Sequence, residues 1–170
     1  YDGVAHTIDT NALKVAYATA LGEGVACMYA RAQNGVWTAE PLTFKDAVVT
    51  SFWYKVTSAN YADIVKPCKV AITNRPVTVT SGTKLDFTYD GKPHAFTNLT
   101  VTAGSFVSGE GIVTSNWATV TAVVEGQVPN SFDYEALDGT KLSNYDLMVV
   151  TGKIAVVKGP LSPGDDPDPT

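Results

Sequence analysis

The sequence predicts an all-β chain made of two tandem small β-sandwich domains joined by a short linker, and three observations carry that prediction. The same landmarks occur twice in one order, short period-two runs of β-branched and aromatic residues dominate, and turn dipeptides separate those runs. Tyr1-Asp2-Gly3 followed by His6 returns as Tyr89-Asp90-Gly91 followed by His94, and Gly22-Glu23-Gly24 returns as Gly109-Glu110-Gly111. Ser51-Phe52-Trp53-Tyr54, Asn60-Tyr61-Ala62-Asp63-Ile64 and Lys69-Val70-Ala71-Ile72 answer to Ser131-Phe132-Asp133-Tyr134, Asn144-Tyr145-Asp146-Leu147 and Lys153-Ile154-Ala155-Val156.

Taken along the chain, the expected strands are Val25–Tyr29, Ser51–Val56, Lys69–Ile72, Val77–Thr80, Thr119–Val124, Phe132–Ala136 and Ile154–Val157. The expected turns are Asp2-Gly3, Asn34-Gly35, Ser81-Gly82, Asp90-Gly91, Asp138-Gly139 and Thr151-Gly152. Strands this short at this spacing read as antiparallel sandwiches. Asn11 to Leu21 is the one segment with helical propensity, its alanines clustering around Leu13, Val15 and Tyr17. The matching stretch of the second copy, Leu99-Thr100-Val101-Thr102, is strand-like, which argues against a helix there. The boundary falls near Asn74-Arg75-Pro76, where proline removes a backbone donor at the entry to the next strand. The domains expected are therefore 1–75, 76–159 and a Pro/Asp-rich linker tail, 160–170. Only the second copy has a strand before its Tyr-Asp-Gly, so the first is expected to lack its first strand and the chain to be an excerpt from a longer array.

Composition excludes several functions. The 170 residues carry a net charge of -5 and no basic run, which argues against nucleic acid, whose affinity is built from clustered Lys and Arg. No apolar stretch approaches the ~20 residues that cross a bilayer, and no charged-then-apolar opening reads as a signal peptide, so any export or anchoring signal is expected outside this stretch. No His-Glu-x-x-His, nucleophile elbow, phosphate loop or zinc cysteine spacing occurs, and the Gly-Glu-Gly segments lack the further glycine and helix of a dinucleotide site. Neither catalysis nor a cofactor nor a metal is expected.

Tyr89-Asp90-Gly91-Lys92-Pro93-His94, Phe106-Val107-Ser108-Gly109-Glu110-Gly111, the stretch from Gly139 to Leu147 and the closing Gly152-Lys153-Ile154-Ala155-Val156 together resemble the YDG-type, mostly-β repeats of large bacterial surface proteins. The first copy resembles a companion variant of that repeat through Tyr1-Asp2-Gly3, Trp37, Phe44-Lys45-Asp46-Ala47 and Ser58-Ala59-Asn60-Tyr61, and Thr73 to Thr80 is similar to the segment that joins such repeats. The resemblance reaches Gly159. It implies an immunoglobulin-like fold and an extracellular setting on a Gram-positive-type cell surface. The implied role is a non-enzymatic stalk or adhesin array whose partners are neighbouring repeats and a glycan or host surface protein. Two departures stand out: Ala47-Val48-Val49-Thr50 replaces a glycine turn, and Cys27 and Cys68 are unusual in such repeats.

The candidate site residues each have a bland and a sharp reading. His6 and His94 follow a Tyr-Asp-Gly and read first as turn anchors, with glycine supplying a positive φ and aspartate bonding its own turn backbone. Cys27 is in phase with Val25 and Tyr29, and Cys68 with Val70 and Ile72, so both are expected to face inward. They form either a disulfide closing a loop of about 40 residues, worth ~3 to 4 kcal/mol on the entropy account, or two buried free thiols; an exported setting permits the bond. Trp37, Trp53 and Trp117 are either core or a platform on which sugar rings stack. Asp165, Asp166 and Asp168 read as a solvated linker more than a calcium cage, since prolines separate them. Asn98-Leu99-Thr100 is formally a glycosylation sequon, and no lysine–asparagine crosslinking motif is recognisable.

Overall fold

The structure, a computed structural model, describes residues 1–161; Asp165, Asp166 and Asp168 lie outside the described residues. The chain is mostly β with one α-helix among those residues, and it divides into two compact units, Tyr1–Arg75 with Ser143–Tyr145, and Pro76–Leu142 with Asp146 onward.

The first unit runs β1 (His6–Thr7), α1 (Asn11–Leu21), β2 (Val25–Ala30), β3 (Thr43–Phe44), β4 (Val48–Ser58) and β5 (Ile64–Ile72). Its main sheet is antiparallel in the order β2-β4-β5, with Cys27 opposite Val56, Ala30 opposite Trp53, Phe52 opposite Cys68 and Trp53 opposite Pro67. The Ala47–Thr50 departure is absorbed into β4, whose Val48 and Val49 pair with Ile72 and Ala71. One face of the sheet holds the core of Cys27, Tyr29, Phe52 and Val56, joined by Phe44 of β3.

The sequence reading places a second sheet over this core; the structure places α1 there. Four alanines with Leu13, Lys14 and Leu21 favour the helix intrinsically. Asp9 accepts the Asn11 N–H at 2.9 Å to satisfy one orphan donor of the first turn, and Gly22 ends the helix in the left-handed region at φ 67°. Leu13, Lys14, Tyr17, Ala18 and Leu21 form the half-buried stripe, at the three-to-four spacing of one helix face, and Leu13 and Tyr17 pack on the core. The Tyr17 hydroxyl meets that of Tyr54 at 3.2 Å, and this contact, aided by burial, pushes the Tyr54 phenol up to about 12. Burial also raises the phenol of Tyr29. Gly22-Glu23-Gly24 thus caps a helix, and Glu23 accepts both the backbone N–H (3.2 Å) and side-chain amide (2.6 Å) of Asn60 beyond the end of β4. Those bonds to Asn60 hold the Glu23 carboxyl below the usual range.

The second unit runs β6 (Arg75–Ser81), β7 (Lys84–Thr88), β8 (His94–Ala95), β9 (Leu99–Gly104), β10 (Ile112–Ser115), β11 (Thr119–Val120), β12 (Val128–Pro129), β13 (Asp133–Ala136), β14 (Tyr145–Val150) and β15 (Lys153–Val157). Two three-stranded sheets, β14-β6-β9 and β12-β15-β7, are accompanied by the ribbons β10-β13 and β8-β11. Val120, Ile154 and Val156 form a core with Phe87, Phe96, Ala118 and Val128 around them.

Three sequence expectations are corrected here. Ser81-Gly82 and Thr151-Gly152 do not turn hairpins: at each, the chain leaves the first sheet and enters the second, β6 passing to β7 and β14 to β15. The strand expected over Thr119–Val124 stops at Val120. Glu125 accepts the N–H groups of Thr121 (2.8 Å) and Ala122 (2.6 Å), winding Val123–Glu125 into a 3-10 turn, and Val124 is exposed.

The sheet crossover is held by buried polar side chains. Ser81 and Asn130 are both buried; the Ser81 hydroxyl donates to the Asn130 carbonyl at 2.7 Å and accepts the Gly152 N–H at 2.9 Å. The Asn130 amide donates to the carbonyls of Gly82 and Phe96, each at 2.9 Å, and its backbone N–H reaches the Gly152 carbonyl at 2.9 Å. Strands that change sheets lose ladder partners, and here two side chains replace them.

Candidate functional site

The repeated Tyr-Asp-Gly forms the same clasp twice. Asp2 Oδ1 accepts the Val4 N–H at 3.1 Å and His6 Nε2 at 2.9 Å; Asp90 Oδ1 accepts the Lys92 N–H at 2.9 Å and His94 Nε2 at 2.9 Å. The glycines between stand at φ 82° (Gly3) and 75° (Gly91), a conformation that disfavours a Cβ. An ionised carboxylate only accepts, so each imidazole is the donor. The bond from His6 holds the Asp2 carboxyl below its usual range, and the bond from Lys92 does the same for Asp90.

The surroundings of the two clasps differ. His6 faces an open cleft of about 380 Å³ lined also by Tyr1, Val70, Ala71, Ile72 and Thr73, whereas His94 lies flat on Phe87 at 4.9 Å between ring centres and 18° between planes. What recurs is the turn; its surroundings do not recur with it. Among the described residues no group of three or more His, Cys, Asp or Glu is placed to hold a metal ion, and no helix is long and apolar enough to cross a membrane.

Of the two readings of Cys27 and Cys68, the structure has free thiols without the Cys27–Cys68 bond, and corrects the expected burial of the second: Cys27 is buried and Cys68 exposed. Parity does put Cys68 on the core face, opposite Phe52, but β5 is the edge of the main sheet while α1 packs on β2. The two residues flank β4 on opposite sides, opposite Val56 and Phe52, and are offset by roughly 13 Å along the strand. A disulfide needs Cα atoms within about 7 Å. Iodoacetamide applied to the folded chain without reductant is expected to modify Cys68 alone, with Cys27 reacting only on denaturation. An intact mass showing loss of both thiol hydrogens before reduction would restore the bond.

The three tryptophans do not form one cluster. Trp117, in the second unit, stacks on Phe132 at 4.7 Å and 27° and donates its indole N–H to Thr114 Oγ1 at 3.3 Å, so its face and its polar edge are both used internally. Trp53 and Trp37 share the outer face of the β2-β4-β5 sheet. Trp53 alternates with buried Phe52, and Trp37 precedes Thr38, whose backbone pairs with core-facing Tyr29. Lys55, two positions from Trp53 on that face, sets its ammonium 5.1 Å from the centre of the Trp37 ring. Lys55 was available to sequence reasoning through its period-two phase with Trp53. Asn130 and Ser81 carried no such signal.

Comparison with protein families, curated proteins and solved structures finds no match to this chain.

Proposed function

We propose that this chain is a non-enzymatic structural repeat module, part of a stalk or adhesin array of a bacterial cell-surface or secreted protein, with its second unit immunoglobulin-like. The observation that carries the reading is the duplicated Asp–His clasp, equal in geometry and unequal in surroundings. Duplication that keeps a turn and discards its environment preserves a fold element, not a reaction. Two sheets exchanging strands at one buried crossover support the same role for the second unit, since a spacer needs modules that resist opening. Screening the whole chain against a panel of hydrolase substrates, beside His6→Ala and His94→Ala variants, is expected to return no turnover. Turnover abolished by either histidine change defeats the proposal.

The outer sheet face favours a second reading, a binding module that takes a glycan or host protein on Trp37 and Trp53. These rings are half-buried on a face turned away from the core, where aromatic side chains offer a flat apolar surface. Retention on a glycan array, lost in Trp53→Ala, is the expected sign of it.

A further inference from the structure

We propose that the outer face of the β2-β4-β5 sheet binds an acidic polysaccharide, its sugar ring stacking on Trp53 and its carboxylates meeting Lys55 and Lys69. The proposal rests on the binding-module reading and names the ligand that reading leaves open.

The register fixes what the face presents. Residues paired across an antiparallel ladder share a face, so the outer positions are Ala26, Met28 and Ala30 of β2, alternate residues of β4 from Val49 to Thr57, and Val65, Pro67, Lys69 and Ala71 of β5. Trp53 is the large ring at the centre, half-buried, flanked across the ladder by Ala30, which is buried, and Pro67, which is exposed. Lys55 lies roughly 7 Å from it along β4 in one direction, and Ser51, which pairs with Lys69, lies as far in the other. The order along the sheet is cation, ring, cation.

Charge decides the occupant. The whole chain carries -5, yet the strand positions of this face hold two lysines and no carboxylate. A second copy docking through the same face would set lysines against lysines, and two chains each at -5 repel overall. Nucleic acid needs many more phosphate contacts than two lysines make. A neutral glycan would use the ring and leave both ammonium groups without purpose. A uronic acid polymer uses all three: the apolar face of a pyranose covers the indole, and carboxylates on neighbouring sugars reach the lysines. Lys55 is already held against Trp37, so less side-chain freedom is lost when it pairs.

The test is affinity electrophoresis and titration calorimetry of the whole chain with polygalacturonate, with its fully methyl-esterified form as the uncharged control. Retardation by polygalacturonate is expected, falling with salt, with about tenfold weaker binding in Lys55→Gln/Lys69→Gln, a pair of exchanges on the outer sheet face, and in Trp53→Ala. Equal binding of the esterified polymer overturns the acidic specificity while leaving the aromatic platform intact. No retention of any saccharide on a glycan array overturns the platform as well. Binding of polygalacturonate unchanged by both variants places the ligand elsewhere and defeats the proposal. Self-association abolished by Trp53→Ala would assign the face to a second copy instead.

Discussion

Asn130→Ala is expected to destabilise the second unit by about 3 kcal/mol. The side chain is fully buried, and its amide is the donor for two carbonyls, those of Gly82 and Phe96, each at 2.9 Å. Alanine keeps the backbone bonds to Ser81 and Gly152 but leaves those carbonyls without their donor and adds a cavity. The Asn130 Oδ1, buried without a hydrogen-bond partner, is removed at the same time and returns part of the loss. Asn130→Asp separates hydrogen bonding from volume. A carboxylate facing two carbonyl oxygens is repelled, so its folded-state pKa rises above the ordinary aspartate value and the protonated form is the one tolerated. Its stability is then highest below the unfolded pKa of about 4 and falls as pH rises from there through the raised folded-state value. Urea unfolding at pH 4 and pH 7 reads both effects. A cost below about 1 kcal/mol for alanine, or no pH dependence for aspartate, would show that water enters and replaces the amide.

The β-rich character of this chain was legible because its strands carry period-two patterns strong enough to outweigh local ambiguity. Val25–Tyr29, Ser51–Val56, Val77–Thr80 and Ile154–Val157 all lie inside observed strands. Turn chemistry was legible where it is purely local, as at Asp2-Gly3 and Asp90-Gly91, since an aspartate and a positive-φ glycine need no distant partner. The helix failed for the opposite reason. Propensity at Asn11–Leu21 pointed correctly, but analogy with Leu99–Thr102 overrode it, and the two stretches are helix and strand. Ser81-Gly82 and Thr151-Gly152 look like turns in sequence because a strand that changes sheets needs the same small residues.

The candidate site was only half legible. Inward phase for Cys68 followed correctly from alternation, yet alternation says nothing about whether a strand is central or at an edge, and edge position left the thiol exposed. Grouping Trp117 with Trp37 and Trp53 followed from residue type alone; their separation into an internal stack and an outer face depends on pairing partners that sequence does not name.

Gly152→Ala is expected to be severely damaging, about 4 kcal/mol or more. The reason is space, not backbone conformation. A Cβ at Gly152 would run into the carbonyl oxygens of Ser81 and Gly82, which belong to the other strand at the crossover and cannot swing aside as a side chain would. The same approach lets the Gly152 N–H reach the Ser81 hydroxyl and its carbonyl accept from Asn130, so displacement strains those bonds together. Gly91→Ala is the control. Its glycine has a positive φ of 75° but open space around the added carbon, so it should cost only about 1 kcal/mol. Because Gly152 and Asn130 act on one junction, the double variant should lose less than the sum of the two. Thermal and urea unfolding of the three single variants and the double decide it. A Gly152→Ala loss no greater than that of Gly91→Ala would mean the two strands can part at the crossover without opening the sheets, and the second unit would then be held by its ladders alone.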